Sequence, residues 1–254
     1  MKVKIKTVLL SCVMLCMAQL AAKETILVVN AHPDDSEGMA GTLYLMKERF
    51  DLHFATLTKG QYLDLKTLGK DGPVAEVRMK EEETAAALVG ARVHWYGYKD
   101  GQLYATPEVC REMADLIREL KPRAIFAPWP FDRHLDHSMA GMITMKAVKL
   151  TKYDGEVYFR ELSGMNGSKG FTPVHYVDVT ALADFKRKYS RCYASQNKDD
   201  KLVDMIMSAA QSRGAQTQYS AKVKRLAECF APLPGFRLQG KPCLFNELPV
   251  LSGE

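Results

Sequence analysis

From residue 23 onward, short apolar runs alternate with longer stretches whose apolar residues recur every three or four positions. Short runs of that kind read as strands, and the 3.6-residue period reads as amphipathic helix. "TILVVN" (25–30) is then a buried strand, followed by a helix over Met39 to Arg49 and a second strand, "DLHFATLT" (51–58). Pro73 and Gly90 bracket the next helix, since proline suits a first helical turn and glycine the residue after the last. "RVHWYGY" (92–98) is a third strand. Thr106, Pro107 and Glu108 form an N-cap and first turn, and Val109, Met113, Leu116, Ile117 and Leu120 follow on one helical face until Pro122. "AIFAP" (124–128) is a fourth strand, Met139 to Leu150 a helix, and "EVYF" (156–159) and "VHYVDV" (174–179) further strands. Ala181 to Cys192, Asp199 to Gln211 and Gln218 to Phe230 read as helices. The tail after Ala231 holds Pro232, Pro234, Pro242 and Pro249 and reads as loop or edge strand.

This alternation predicts an α/β fold: a Rossmann-like, mostly parallel sheet with helices on both faces. Such sheets bind ligands outside the carboxyl ends of their strands. The loops after the first and fourth strands are therefore where a site is expected.

Composition narrows the picture. The chain has 254 residues, 47% hydrophobic and 26% charged, which suits one soluble globular domain over residues 23–254. Residues 1–22 have the layout of a secretory signal peptide: Lys2, Lys4 and Lys6, an apolar run from Val8 to about Leu20, then Ala21 and Ala22. The run is short for a membrane span, which needs roughly 20 apolar residues. Export, to the periplasm or outside the cell, is the expectation, with no membrane span left in the mature chain. "LLSC" ending at Cys12 is a weaker match to a lipoprotein cleavage box. Without the three leading lysines the formal charge of +5 drops to about +2, and no basic cluster points to nucleic acid. Cys110, Cys192, Cys229 and Cys243 remain after signal removal. An exported protein can pair such cysteines, and Cys229 with Cys243 is the expected pair.

The loop after the first strand, "AHPDDSEG", offers His32, Asp34, Asp35 and Glu37. The loop after the fourth, "PWPFDRHLDHSMAG", offers Asp132, His134, Asp136 and His137. Either alone is explained by a turn or a helix cap. Two His/Asp clusters about a hundred residues apart, each following a parallel strand, instead suggest zinc hydrolysis. A catalytic zinc takes three ligands from His, Asp and Glu and leaves one position for water. One of Asp34 and Asp35 would hold metal while the other acts as base. Glu37 reads as charging the N-terminus of the first helix. His53, His94 and His175 lie in or beside strands and read as packed or edge histidines.

"AHPDDSEG" with "HLDH" downstream resembles the PIG-L, or LmbE-like, family of zinc-dependent N-deacetylases. "TLTKGQ", "EVRMKEEETAAALVGARVHWYGYKDGQL", "YASQNKDD" and "SRGAQTQYSAKVKRLAECFAPL" extend the likeness over most of residues 25–231. The resemblance implies one zinc ion held by His32, Asp35 and His137, with another divalent metal as an alternative. It implies Asp34 as general base and His134 as the residue that stabilises the oxyanion or protonates the leaving amine. Asp136 would orient His134 or a ligand histidine, and Arg78 and Asp100 would contact the sugar. Taken without the resemblance, Arg78 could simply pair with Glu82 at i+4, and Asp100-Gly101 could be a turn. The implied activity is removal of an N-acetyl group from an N-acetylamino sugar or glycoconjugate. Alternatives are a zinc amidase acting on a larger N-acyl or thiol-conjugated glycoside, and a carbohydrate-binding member without turnover. Gln61 stands where members often carry glutamate, which bears on the substrate and leaves the metal chemistry intact. The Gly- and Ser-rich stretch 162–172 reads as a surface loop or a lip over the pocket. No GxGxxG follows the first strand, so a dinucleotide-binding reading has little support.

Overall fold

Strand β1 (Glu24–Asn30) shows why the sheet is covered on both sides. Its alternate residues Ile26 and Val28 enter one core and Leu27 and Val29 another, all without solvent exposure. The computed structural model describes residues 23–61, 72–162, 170–217, 224–236, 240 and 242–248. The expected signal peptide and most of the 162–172 stretch lie outside those residues. Strands β2 (Phe50–Thr58), β3 (Arg92–Tyr98), β4 (Ala124–Pro128), β5 (Glu156–Arg160), β6 (His175–Asp178) and β7 (Ala227–Pro232) complete a seven-stranded sheet of order β3-β2-β1-β4-β5-β7-β6. β1 to β5 are parallel, and β7 runs antiparallel to β5 and β6.

Helices α1 (Ala40–Met46), α2 (Pro73–Leu88) and α5 (Ala183–Ser190) cover the first core through residues such as Leu43, Ala85 and Tyr189. Helices α3 (Pro107–Leu120) and α4 (Leu135–Thr151) cover the second through Val109, Met113, Ile143 and Val148. Helix α6 (Lys201–Ala215) packs on α5 and β7. The order outward from β1 reverses between β2 and β4, so the loops after β1 and β4 open side by side at the carboxyl edge.

Three expectations are corrected. The helix expected over Gln218 to Phe230 gives way to β7 from Ala227. Val223, Leu226, Ala227 and Phe230 have helical spacing, but pairing on both sides buries every residue from Ala227 to Ala231, which overrides the local period. The helix expected from Met139 begins at Leu135, so Asp136 and His137 stand on its first turn. Cys229 and Cys243 are not bridged: all four cysteines among the described residues are free. Cys229 is buried in β7, while the Cys243 sulfur lies 3.3 Å from the Tyr158 hydroxyl.

The inserted β7 also anchors the sheet to α1. Buried Glu228 accepts from the backbone N–H of Gly41 and Thr42 at 2.9 and 2.7 Å, and pairs with buried Lys186 at 2.5 Å. No helix among the described residues is long and apolar enough to cross a membrane.

Candidate metal and active site

The chain leaves β1 through Ala31, whose carbonyl accepts from the Thr58 backbone N–H (2.9 Å) and hydroxyl (2.8 Å) at the end of β2. The turn that follows folds Asp35 back on itself. Its Oδ2 accepts from the backbone N–H of Ala31 (2.6 Å) and His32 (2.9 Å). The other oxygen, Oδ1, lies 3.9 Å from His32 Nδ1 and 3.3 Å from His137 Nε2. A tetrahedral ion with ligand bonds of about 2.1 Å sets its donor atoms roughly 3.4 Å apart. Asp35 Oδ1 thus lies near a nitrogen of each histidine at spacings that bracket this value, and His32, His134 and His137 offer three nitrogens within 4.8 Å of one another.

The opposite nitrogens of both histidines meet carboxylates. His32 Nε2 lies 3.1 Å from Asp100 and 3.2 Å from Asp136, and His137 Nδ1 lies 3.3 Å from Asp132. This fixes each ring and points its other nitrogen at the shared space. Of the two partners expected for Asp136, the structure supplies His32. Asp136 is itself held by the backbone N–H of Gly101 (2.7 Å) and Leu103 (3.3 Å). His32, Asp100 and Asp136 also offer three donor atoms within 4.8 Å of one another. With both Asp136 oxygens on backbone amides, that group suits orientation of His32 better than metal ligation.

Electrostatics follows the same pairing. Burial opposes charge on both histidines, yet their carboxylate partners raise His32 well above its usual value and His137 to about 9. Burial works against the Asp35 anion, but His137 and His32 outweigh it and hold the carboxyl well below its usual range. The site thus balances its charge internally.

Asp34 occupies the left-handed region, with φ of 94°. Its backbone N–H points at Glu82 Oε2 (3.3 Å), and its Oδ2 accepts from Arg78 (2.9 Å). Burial lifts its pKa to about 6 against the pull of Arg78. Arg78 is buried and makes two further bonds, to the Pro33 carbonyl (2.7 Å) and the Gly60 carbonyl (2.9 Å). Gly60 is required there. It has φ of 62°, and a Cβ would stand 2.5 Å from the Arg78 guanidinium carbon. The Arg78–Glu82 pair expected on one helix face does not form, because both side chains turn inward to Asp34 and its loop.

His134 is exposed, and its ring lies 4.8 Å from that of His32 and 4.5 Å from that of His137. Partial burial and the two neighbouring imidazoles lower its pKa. Asp132 Oδ1 accepts its backbone N–H at 2.9 Å, so one aspartate positions both histidines of the loop. A pocket of about 350 Å³ exposes His32, Asp34, Asp35, His134, His137 and Asp100, with Arg78 in its wall. Glu37 also lines it, in the first turn of a short helix as expected, and is buried there. The other three histidines lie elsewhere: His53 and His94 bond each other across β2 and β3 at 2.7 Å, and His175 stacks on Phe245.

Two supporting residues escape a reading of the sequence. Glu82 accepts at Oε1 from Asn30 (2.9 Å) and Thr56 (3.1 Å), and at Oε2 from Tyr193 (2.7 Å) as well as from Asp34. Arg160, at the end of β5, donates to the carbonyls of Asp35 and Val29 and to Asn30 Oδ1. Asn30, the lone polar residue ending an apolar strand, was the available signal for both.

Residues 27–148 match the family model described as PIG-L, GlcNAc-PI de-N-acetylase. The diacetylchitobiose deacetylase of Thermococcus kodakarensis is 27% identical over 191 residues, 69% of this chain and 71% of that protein. The 4-oxalmesaconate hydratase of Pseudomonas putida is 23% identical over 214 residues, 77% of this chain and 82% of that protein. Among solved structures, the N,N'-diacetylchitobiose deacetylase from Pyrococcus horikoshii superposes with a TM-score of 0.70 at 24% identity, covering 85% of this chain and 86% of that one. The matched segment carries both site loops and the β3-β2-β1-β4 half of the sheet, and over that segment the chain matches the PIG-L, or LmbE-like, family.

Proposed function

We propose that this protein is a metal-dependent N-deacetylase that hydrolyses the acetamide of an N-acetylamino sugar or glycoconjugate. The observation that carries the reading is that Asp35 Oδ1 lies 3.9 Å from His32 Nδ1 and 3.3 Å from His137 Nε2, with a second carboxyl, Asp34, in the same pocket. The deacetylase relative supports the substrate class. His32, Asp35 and His137 would hold the ion, with zinc first among divalent metals. When bound, such an ion supplies Lewis acidity, which brings the pKa of a coordinated water to roughly 7.

The chain's own groups do the rest. Asp34 takes the proton of the attacking water and holds it on Oδ1 or Oδ2 beside Arg78. His134, neutral near pH 7, donates a hydrogen bond to the oxygen of the former carbonyl as it gains charge. The C–N bond breaks, Asp34 returns its proton to the nitrogen, and acetate and a free amine are the products. Asp100, Asp136 and Asp132 keep the two ligand rings oriented throughout. In this reading Asp100 serves the histidine first, and Arg78 serves Asp34 first. Both still face the pocket, where they can meet the sugar.

Hydration of a carbon–carbon double bond is the second reading, favoured by the hydratase relative. Export through residues 1–22 is part of the proposal, supported by the basic start, the apolar run and the two alanines.

Acetate release from a panel of N-acetylated mono- and disaccharides, with and without chelator, tests the function. Chelator-sensitive acetate release from at least one sugar is expected. Turnover of an unsaturated acid with no acetate from any sugar would assign the protein to the hydratase reading.

A further inference from the structure

One buried cation joins the two site loops. Arg160 ends β5 and is 2% exposed. Its backbone carbonyl accepts from the Trp129 N–H at 2.9 Å, where the chain leaves β4 toward Asp132, His134 and His137. Its guanidinium reaches the other loop. Nη2 donates to the Val29 carbonyl (3.0 Å) and to Asn30 Oδ1 (2.6 Å) at the end of β1, and Nη1 donates to the carbonyl of Asp35. β4 lies between β5 and β1 in the sheet, so this side chain spans the end of a whole strand. Two strand spacings come to about 10 Å, a reach that only a long side chain has. All three acceptors are neutral, and Arg160 forms no ion pair among the described residues. A guanidinium buried without a carboxylate partner is costly to keep. What it offers in return is a rigid fork whose two ends hold separate acceptors, which a lysine ammonium cannot reproduce.

We propose that Arg160 is a positioning residue for the metal: its fork sets Asp35 against the end of β1, and its backbone holds the β4 loop to the same point, so that Asp35 and His137 meet one ion. Arg160 is not among the residues lining the pocket, and its effect passes through Asp35 and the β4 loop. This inference rests on the metal-dependent reading above.

The test uses chelator-stripped wild type, Arg160→Lys and Arg160→Met. Zinc affinity is measured by competition with a chromophoric chelator, and ligand geometry by the visible absorption of the cobalt(II)-loaded protein. Arg160→Lys keeps the charge and the long stem but loses the fork, and Arg160→Met loses both. Each should bind zinc about 10–100-fold more weakly than wild type, the loss expected when a partner that orients a ligand is removed. The cobalt bands should shift in both. A purely structural arginine would lower thermal stability and leave both readouts alone. Zinc affinity reduced less than tenfold in a folded variant, or an unchanged cobalt spectrum, therefore overturns the proposal. If one variant unfolds, the other decides by the same threshold; unfolding of both makes Arg160 structural and overturns it too. Neither readout involves substrate. Wild type that binds zinc but releases no acetate refutes the deacetylase reading and leaves this test intact, whereas wild type that binds no zinc overturns both.

Discussion

Asp34 combines a left-handed backbone, a buried carboxyl and an arginine partner. Removing its acid–base capacity while keeping its shape isolates its part in the chemistry. Asp34→Asn should bind metal as wild type does and lose about 10²–10⁴-fold in kcat; elemental analysis beside acetate release measures both. His137→Ala removes a ligand nitrogen and should lower metal content well below one equivalent; undiminished metal would take His137 out of the site. The titrations carry a sign that can be checked. His137 is raised from 6.5 to about 9 and Asp34 from 3.8 to about 6. Both are raised above their unfolded values, so each stabilising increment is present at low pH. That of Asp34 is lost as pH rises through 6, and that of His137 as pH rises through 9. In chelator-stripped protein at pH 7, His137 therefore carries a proton that a metal ion must displace. Loading zinc at pH 7 in weak buffer with an indicator dye should release at least one proton per ion, and no release would contradict the assignment. These residues stood out because histidine and aspartate are unusual after an apolar strand. Glu37 stands in the first helical turn as read, but its burial was not legible, because Lys186 and Ser190 of α5 lie about 150 residues away in sequence.

Helix α2 shows what an element contributes beyond its pattern. Arg78 and Glu82 are one turn apart, and both reach the Asp34 loop, one by its carboxyl and the other by its amide. Glu82 receives four donors, and burial raises its pKa to about 7. A glutamine cannot accept from all four, because one of its ends is itself a donor. Glu82→Gln should cost about 1–3 kcal/mol of stability and also lower kcat by loosening Asp34. Thermal unfolding and kcat, measured together, check this; a fall in stability with kcat intact would make Glu82 purely structural. The sequence showed the helix and its Pro73 start, but an i,i+4 arginine–glutamate pair on a surface reads the same as one turned inward. In the same way, β7 was hidden by its helical spacing. Only the partners on either side, β5 and β6, decide its conformation.

At the scale of the molecule, the parallel sheet brings two loops about a hundred residues apart to one edge. That much follows from alternation of strands and helices alone. The antiparallel end of the sheet did not follow, and it rests on a buried ion pair. Lys186→Met would leave Glu228 without its cation and should destabilise the protein by about 3–5 kcal/mol, read as a lowered midpoint in denaturant. The central claim is that one ion, held by His32, Asp35 and His137, is needed for amide hydrolysis. Its most direct test is a zinc titration of chelator-stripped protein, following acetate release from N,N'-diacetylchitobiose. Activity should rise from the blank to a plateau at one equivalent of zinc. Full activity before any metal is added, or no acetate at any metal level, would contradict it.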